Sequence, residues 1–371
     1  MATASGVAAP SDVGMNPRGL DRVRELFFEQ IEAGFHPGAA LAVYRYGIPV
    51  LDLYGGLADR DTGKPVDENT MFVLYSSTKP VTACCLFILW ERGKLDWDDR
   101  VADHWPEFAQ SGKEDVTIAQ VLTHRGGFPD SPSHMTWDRW SDWDAAVRAM
   151  EELRPDYPPG RVIAYHPRNF GWVIGELVRR IDGRPINRFV RDEITRPLGI
   201  NDLYIGLPEW LLDRVSKLHA MEDCDRRSQV ELYNNPEVHR TVQPAGGGIS
   251  TARGLARFFA MMQLGGTLDG VTVMRTETVE EVTAAHSEGI DHSLNRRVIR
   301  GMGLSLADPR TGDSDKLDQR TFGHAGSGTS VGWANPDTGL AVAYITNGFR
   351  AEISNTPRLA AVSQAVTDAC V

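Results

Sequence analysis

Ser76 stands three residues before Lys79 in the stretch Tyr75-Ser-Ser-Thr-Lys-Pro80, and no other serine in the chain is so placed. A hydroxyl and an amine three apart share one face of a helix. An amine that has lost its proton can accept that of the hydroxyl and turn it into a nucleophile. The surroundings favour this chemistry. Pro80 fits only near a helix start, and residues 81–90 are apolar nearly all round, the pattern of a buried central helix. A lysine at such a start is partly desolvated and meets the positive end of the helix dipole, and both effects disfavour the ammonium form. The competing reading is a helix cap, for which Ser and Thr are common. For structure alone, a lysine here is a poor choice.

Two further stretches carry polar groups with chemical potential. Pro158-Pro-Gly-Arg-Val-Ile-Ala-Tyr165-His-Pro puts a tyrosine on a loop ahead of the helical run FGWVIGELVRRIDGR. In isolation a packing tyrosine is the better reading. Phe322-Gly-His324-Ala-Gly326-Ser-Gly-Thr opens a strand, and its small residues would let a substrate approach the backbone closely, although in isolation a plain glycine-rich turn explains them as well. The tryptophans of His134-Met-Thr-Trp137-Asp-Arg-Trp140-Ser-Asp-Trp143 are either a packed helix stripe or the lining of an acyl pocket.

Other chemistries lack their signatures. No serine has both glycines of Gly-x-Ser-x-Gly; Gly303-Leu-Ser305-Leu-Ala307 lacks the second. There is no His-Glu-x-x-His, Cys-x-x-Cys or Walker A sequence, so neither a metal nor a nucleotide cofactor is expected. A net charge of −11 works against binding to phosphate backbones. The four cysteines do not form a disulfide framework, and adjacent Cys84 and Cys85 read as small buried residues. The longest apolar run is about ten residues, short of a membrane span. The N-terminal stretch lacks a basic region followed by an apolar one, which makes the cytoplasm the default expectation.

The elements that must position these residues follow from periodicity. Residues 18–34 have helical spacing, and 39–47 with 48–56 form a hairpin signature around Gly47. From about 76 to about 230 the pattern is helical, broken by turn clusters at 130–134, 154–160 and 182–185. Segments 301–307, 329–336 and 339–348 read as strands, the last two joined by the turn Asn335-Pro-Asp-Thr-Gly339, and 357–369 as a helix. The fold expected is α/β (α+β): an antiparallel sheet built from residues 1–75 and 231–371, flanked by N- and C-terminal helices. A mainly helical region, 76–230, is inserted in it, with the active site at the seam.

A Ser-x-x-Lys, a tyrosine about 90 residues later and a His-x-Gly at a late strand together resemble the serine β-lactamase and penicillin-binding protein superfamily. More narrowly, the chain resembles its esterase branch, the family VIII carboxylesterases of class C β-lactamase-like fold. The resemblance spans nearly the whole chain; Gly19-Leu-Asp-Arg-Val, Thr117-Ile-Ala-Gln-Val-Leu-Thr-His-Arg-Gly-Gly127, Arg196-Pro-Leu-Gly199 and Gly246-Gly-Gly-Ile-Ser-Thr-Ala252 support it as scaffold segments. It implies Ser76 as nucleophile, Lys79 as its base, Tyr165 as proton shuttle, and the backbone N–H groups of Ser76 and Ser327 as oxyanion hole. His124 and Ser250 are not expected to be catalytic. His324, Gly326, His166, Trp137 and Trp140 are the candidate substrate contacts.

Two departures from the lactamase pattern bear on substrate. Tyr-x-Asn is replaced by Tyr165-His166-Pro167, and proline offers no side-chain amide. Lys-Thr-Gly is replaced by His324-Ala-Gly326, and imidazole is largely neutral at pH 7. Both favour a small uncharged ester, and pH below about 6 is expected to charge His324 in part. A β-lactamase or D-Ala peptidase, an acyltransferase, and a catalytically silent binding protein on the same fold are the alternatives. Oligomeric state is left open.

Overall fold

The computed structural model describes residues 7–311 and 320–371; the first six residues of the N-terminal stretch considered above lie outside it. Helix α1 (Pro17–Glu32) starts at an Asn16 cap followed by Pro17, and buries Leu20, Val23 and Phe27 at helical spacing. Strands β1 (Gly38–Arg45) and β2 (Ile48–Asp59) pair as the expected hairpin. Tyr46 and Gly47, both at positive φ, make its turn. β3 (Lys64–Pro65) closes one edge.

The opposite end of the chain completes the sheet with β4 (Ser287–Asp291), β5 (Arg296–Arg300), β6 (Ser305–Leu306), β7 (Phe322–Gly326), β8 (Ser330–Asn335) and β9 (Leu340–Thr346). The nine strands run in the order β4-β5-β6-β7-β8-β9-β1-β2-β3, antiparallel throughout. Alternation sorts the central strands into two cores. Leu41, Val43, Val342 and Tyr344 face α1 and the C-terminal helix, Glu352–Asp368. Ala40, Ala42, Ala341 and Ala343 face the other way, and their small size admits the helix Ala252–Gln263. Gly332 serves the same approach, for a Cβ there would sit 2.4 Å from the Phe259 ring.

Helix α2 (Lys79–Glu91) runs through the second core, and every residue from Lys79 to Leu89 is buried. The helices Trp143–Glu152 and Asn169–Asp182 pack beside it with the shorter helical turns of the region. No helix among the described residues is long and apolar enough to cross a membrane.

Three local readings differ from expectation. The β4–β5 hairpin was not visible, because Ser287–Arg300 is charged and only partly buried and shows no apolar alternation. Of 301–307 only Ser305–Leu306 is strand. The preceding Gly303 takes positive φ where the chain crosses α2, and a Cβ there would meet that of Ala83 at 2.5 Å. The last helix starts at Glu352, five residues before the expected Pro357. Proline is tolerated this early because the amide it lacks would bond back to Ile353, an exposed first-turn residue.

Candidate active site

The chain reaches the seam between sheet and helices through Tyr75, held at φ +47°, and then turns through a 3-10 segment, Tyr75–Thr78, into α2. This puts Ser76 at the mouth, only partly buried, and Lys79 at the first buried helical position. The Lys79 ammonium nitrogen lies 3.1 Å from Ser76 Oγ, 3.0 Å from the Pro167 carbonyl and 3.0 Å from the Ala245 carbonyl. A neutral amine has two N–H donors and one lone pair. The two carbonyls can take the donors, which leaves the lone pair for the serine proton.

Electrostatics favour that neutral form. Burial, then the Arg300 and Arg168 guanidinium groups, hold the pKa of Lys79 well below its ordinary range. Among the described residues no carboxylate comes within ion-pair distance of it. The expected desolvation of a lysine at a buried helix start is thus present, and two arginines add to it.

Tyr165 projects from the loop 158–167 across this amine. Lys79 Nζ is 4.8 Å from its ring centre. The Tyr165 hydroxyl is buried with no partner inside hydrogen-bond distance among the described residues. Burial raises its pKa to about 12, with the Ser76 hydroxyl and Arg300 pulling the other way. It is a phenol, not a phenolate, at neutral pH, and Ser76 stands just beyond its reach. Such bonds are commonly long before substrate binds.

The oxyanion-hole candidates converge because β7 is fastened to the 3-10 turn. Ser77 Oγ donates to the His324 carbonyl at 3.0 Å, and Ser330 Oγ donates to the Leu74 carbonyl at 2.6 Å. A Cβ on Gly326 would lie 1.9 Å from the Leu74 oxygen, so only glycine permits this contact. The next residue, Ser327, takes φ +41°. Two strained non-glycine residues, Tyr75 and Ser327, therefore precede and carry the N–H groups in question, as is common at functional sites.

Several sequence-predicted contacts are corrected. His166 is fully buried behind the site and cannot meet substrate. Its Nε2 accepts the Phe128 N–H at 3.2 Å, so its proton is on Nδ1, which faces His124 Nδ1 at 3.1 Å. His124 Nδ1 also accepts the His166 backbone N–H at 3.1 Å. The pair is an uncharged strut, with burial holding His166 down to about 3 and His124 well below its ordinary value. At Gly326 the packing against Leu74 leaves no room for a Cβ. His324 does line the site beside Tyr165, with ring centres 6.0 Å apart. Its Nδ1 bonds to the Ala325 carbonyl at 2.7 Å, and its Nε2 is buried without a partner. Burial, then Lys79 and Arg300, hold its pKa well below the ordinary imidazole value, which runs against the expected charging below pH 6. The tryptophans also split. Trp140 is 3% exposed and packed, whereas Trp137 is 45% exposed and lines an open cleft. Trp143 anchors to Glu176 at 2.9 Å.

Sequence reasoning missed three supports. The His124 ring packs against that of Tyr165, tilted by 55° with centres 4.6 Å apart. Asp291 accepts the Tyr165 backbone N–H at 3.1 Å, together with those of Ser293 and Leu294. Arg300 bonds Asp291 at 3.2 Å and Ser305 at 2.7 Å, with its guanidinium carbon 5.6 Å from the Tyr165 ring centre. The only signal in the sequence was His124, set aside as scaffold.

The beta-lactamase family model matches residues 23–365. The chain belongs to the beta-lactamase family. It is 29% identical over 339 residues to the esterase/beta-lactamase LipL of Mycobacterium tuberculosis, covering 84% of this chain and 77% of that protein. A penicillin-binding protein homolog from Caulobacter crescentus superimposes with a TM-score of 0.85 at 33% identity, over 96% of this chain and 99% of its own. A family VIII carboxylesterase superimposes with a TM-score of 0.87 at 28% identity, over 99% and 100%. A β-lactamase-fold serine hydrolase family thus frames the site, with relatives on both its esterase and its penicillin-binding sides.

Proposed function

We propose that this beta-lactamase family member is a carboxylesterase that hydrolyses short-chain esters through an acyl-enzyme on Ser76. The observation that carries this reading is Lys79: a buried, carboxylate-free amine whose N–H groups point at two carbonyls and whose remaining position faces Ser76 Oγ at 3.1 Å. Lys79 takes the Ser76 proton as Oγ attacks the ester carbonyl. The backbone N–H groups of Ser76 and Ser327 hold the oxyanion. Tyr165 gives its phenolic proton to the departing alkoxide and regains one from Lys79. Water then enters by the reverse relay and frees the acid.

Preference for an ester over a β-lactam rests on two absences of charge and amide. Pro167 offers only its carbonyl, already engaged by Lys79. His324 is neutral and acceptor-only at its free nitrogen, so a carboxylate beside the scissile bond finds no cation there. The esterase named among the relatives and the family VIII carboxylesterase likeness support the same reading.

The test is a series of 4-nitrophenyl esters from acetate to decanoate, with nitrocefin in parallel, on wild type and Ser76→Ala. Short esters should be turned over, nitrocefin weakly, and Ser76→Ala should be at background and unreactive to a fluorophosphonate probe. Nitrocefin turnover as efficient as that of the esters would move the protein to the lactamase side.

A further inference from the structure

Below the mouth that holds Ser76 runs a row of aromatic rings. Trp140 and Tyr233 lie 6.3 Å apart, Tyr233 and Tyr75 4.5 Å, and Tyr75 and Phe349 5.7 Å, centre to centre. A guanidinium caps each end: Arg168 sits 4.9 Å over Trp140, and Arg226 sits 5.0 Å over Phe349. Trp137, Arg168, Arg226, Glu231 and Tyr233 line one open cleft of about 620 Å³. The cleft borders the catalytic groups: Arg168 follows Pro167, whose carbonyl receives a Lys79 N–H, and Tyr233 packs on Tyr75, the residue before Ser76.

The two arginines are not equivalent. Arg226 is shared with Asp225 at 3.4 Å and Glu352 at 4.0 Å. Arg168 has no carboxylate within ion-pair distance among the described residues, although the chain carries a net charge of −11. A guanidinium held over the Trp140 ring at 4.9 Å with no carboxylate partner among the described residues is suited to capture of a carboxylate. Glu231 on the same wall discourages a second anion and does not neutralise the stacked group.

We propose that this cleft is the acyl subsite and that Arg168 selects esters whose acyl chain ends in a carboxylate, the monoesters of dicarboxylic acids. The inference rests on the esterase reading and refines it. Tyr165, which serves the leaving alkoxide, is flanked by His324 and Arg300; the leaving group departs on that side, and the acyl chain takes the side of Tyr233 and Arg168. An anion is thus disfavoured next to the scissile bond and favoured at the far end of the acyl chain. Trp137 and Tyr233 would cover the methylene groups between.

The experiment compares kcat/KM for monoethyl glutarate and monoethyl adipate with that for ethyl pentanoate, by pH-stat, in wild type, Arg168→Gln, Arg168→Lys and Arg226→Gln. A charge-assisted contact that is partly solvent-screened predicts a preference for one of the monoesters of about tenfold. Arg168→Gln should abolish it, Arg168→Lys keep part of it, and Arg226→Gln weaken it less. Arg168 also repels a proton on Lys79, so its loss can slow all three esters together; the ratio between them is the readout. The preference should also shrink in high salt. Ethyl pentanoate turned over without any monoester preference, or a preference unchanged in Arg168→Gln, overturns the subsite and leaves the esterase reading standing. Turnover of none of the three, together with none of the 4-nitrophenyl esters, overturns the esterase reading and this inference with it.

Discussion

Replacing Arg300 or its partner Asp291 should move the acidic limb of the pH–rate profile in opposite directions. In the proposed mechanism Lys79 is the base and works only when deprotonated, so kcat/KM is present above its pKa and is lost as pH falls through it. The groups facing Lys79 are Ser76 and Tyr165, the neutral imidazoles His124, His166 and His324, and two cations, Arg300 and Arg168. Arg300 Cζ and Lys79 Nζ lie 5.6 and 4.8 Å from the same Tyr165 ring centre, so they are at most about 10 Å apart. At an effective dielectric constant near 20 that separation corresponds to about 1.7 kcal/mol against the ammonium. This is a factor of roughly ten or more in proton affinity, before Asp291, bonded to Arg300 at 3.2 Å, cancels part of it.

Arg300→Gln removes the cation and leaves the Asp291 carboxylate. Lys79 then holds its proton more tightly, the limb moves to higher pH, and kcat/KM near neutrality falls by up to about tenfold while the alkaline plateau recovers. Asp291→Asn keeps an oxygen for the Tyr165, Ser293 and Leu294 amides but leaves Arg300 uncompensated, and the limb moves to lower pH. The double variant should fall between the two. The assay is kcat/KM for 4-nitrophenyl butyrate from pH 5 to 9. A variant that merely loosens the fold loses rate at every pH without moving the limb. Limbs that move together, or not at all, would refute the electrostatic reasoning.

Lys79→Ala and Tyr165→Phe should each lower kcat by orders of magnitude, with the double variant little worse than either, because the two act as one relay; fully additive losses in the same assay would mean independent roles. His324→Lys should raise kcat/KM for nitrocefin relative to 4-nitrophenyl butyrate by about tenfold, one charge-assisted contact. Mild acidification of the wild type should move that ratio far less than an ordinary imidazole would, since burial, Lys79 and Arg300 hold the His324 pKa down. Gly326→Ala should cost about 1–3 kcal/mol in urea unfolding and most of the ester activity, as the added methyl displaces β7 from Leu74.

What the sequence made legible is what depends on spacing along the chain. Ser76 and Lys79 share one helix start, the β1–β2 hairpin has its Gly47, and α2 declares its burial by apolar residues on every side. What it hid depends on the other partner. Lys79 is oriented by the carbonyls of Pro167 and Ala245, and a carbonyl has no residue signature. His166 looked like a substrate contact because it adjoins Tyr165, yet a loop residue next to a site points away from it as often as toward it. Asp291 and Arg300 lie on a polar hairpin with no apolar pattern, more than a hundred residues from the tyrosine they support.

The site's charge distribution suits the role of base proposed for Lys79. An ammonium beside a carboxylate would stay charged, and burial alone would favour a compensating acid nearby. Around Lys79 the described residues supply the opposite: two guanidinium groups and three imidazoles that are themselves uncharged. Asp291, which holds the Tyr165 backbone N–H, is turned to Arg300 and to further backbone amides. Positive charge therefore surrounds the nucleophile on both sides, from Arg300 behind Tyr165 and from Arg168 at the cleft. In the proposed mechanism the same field that disfavours a proton on Lys79 would lower the energy of the oxyanion formed as Ser76 attacks. A group that tunes the base and a group that stabilises the transition state need not be different residues, and in this site Arg300 is placed to be both.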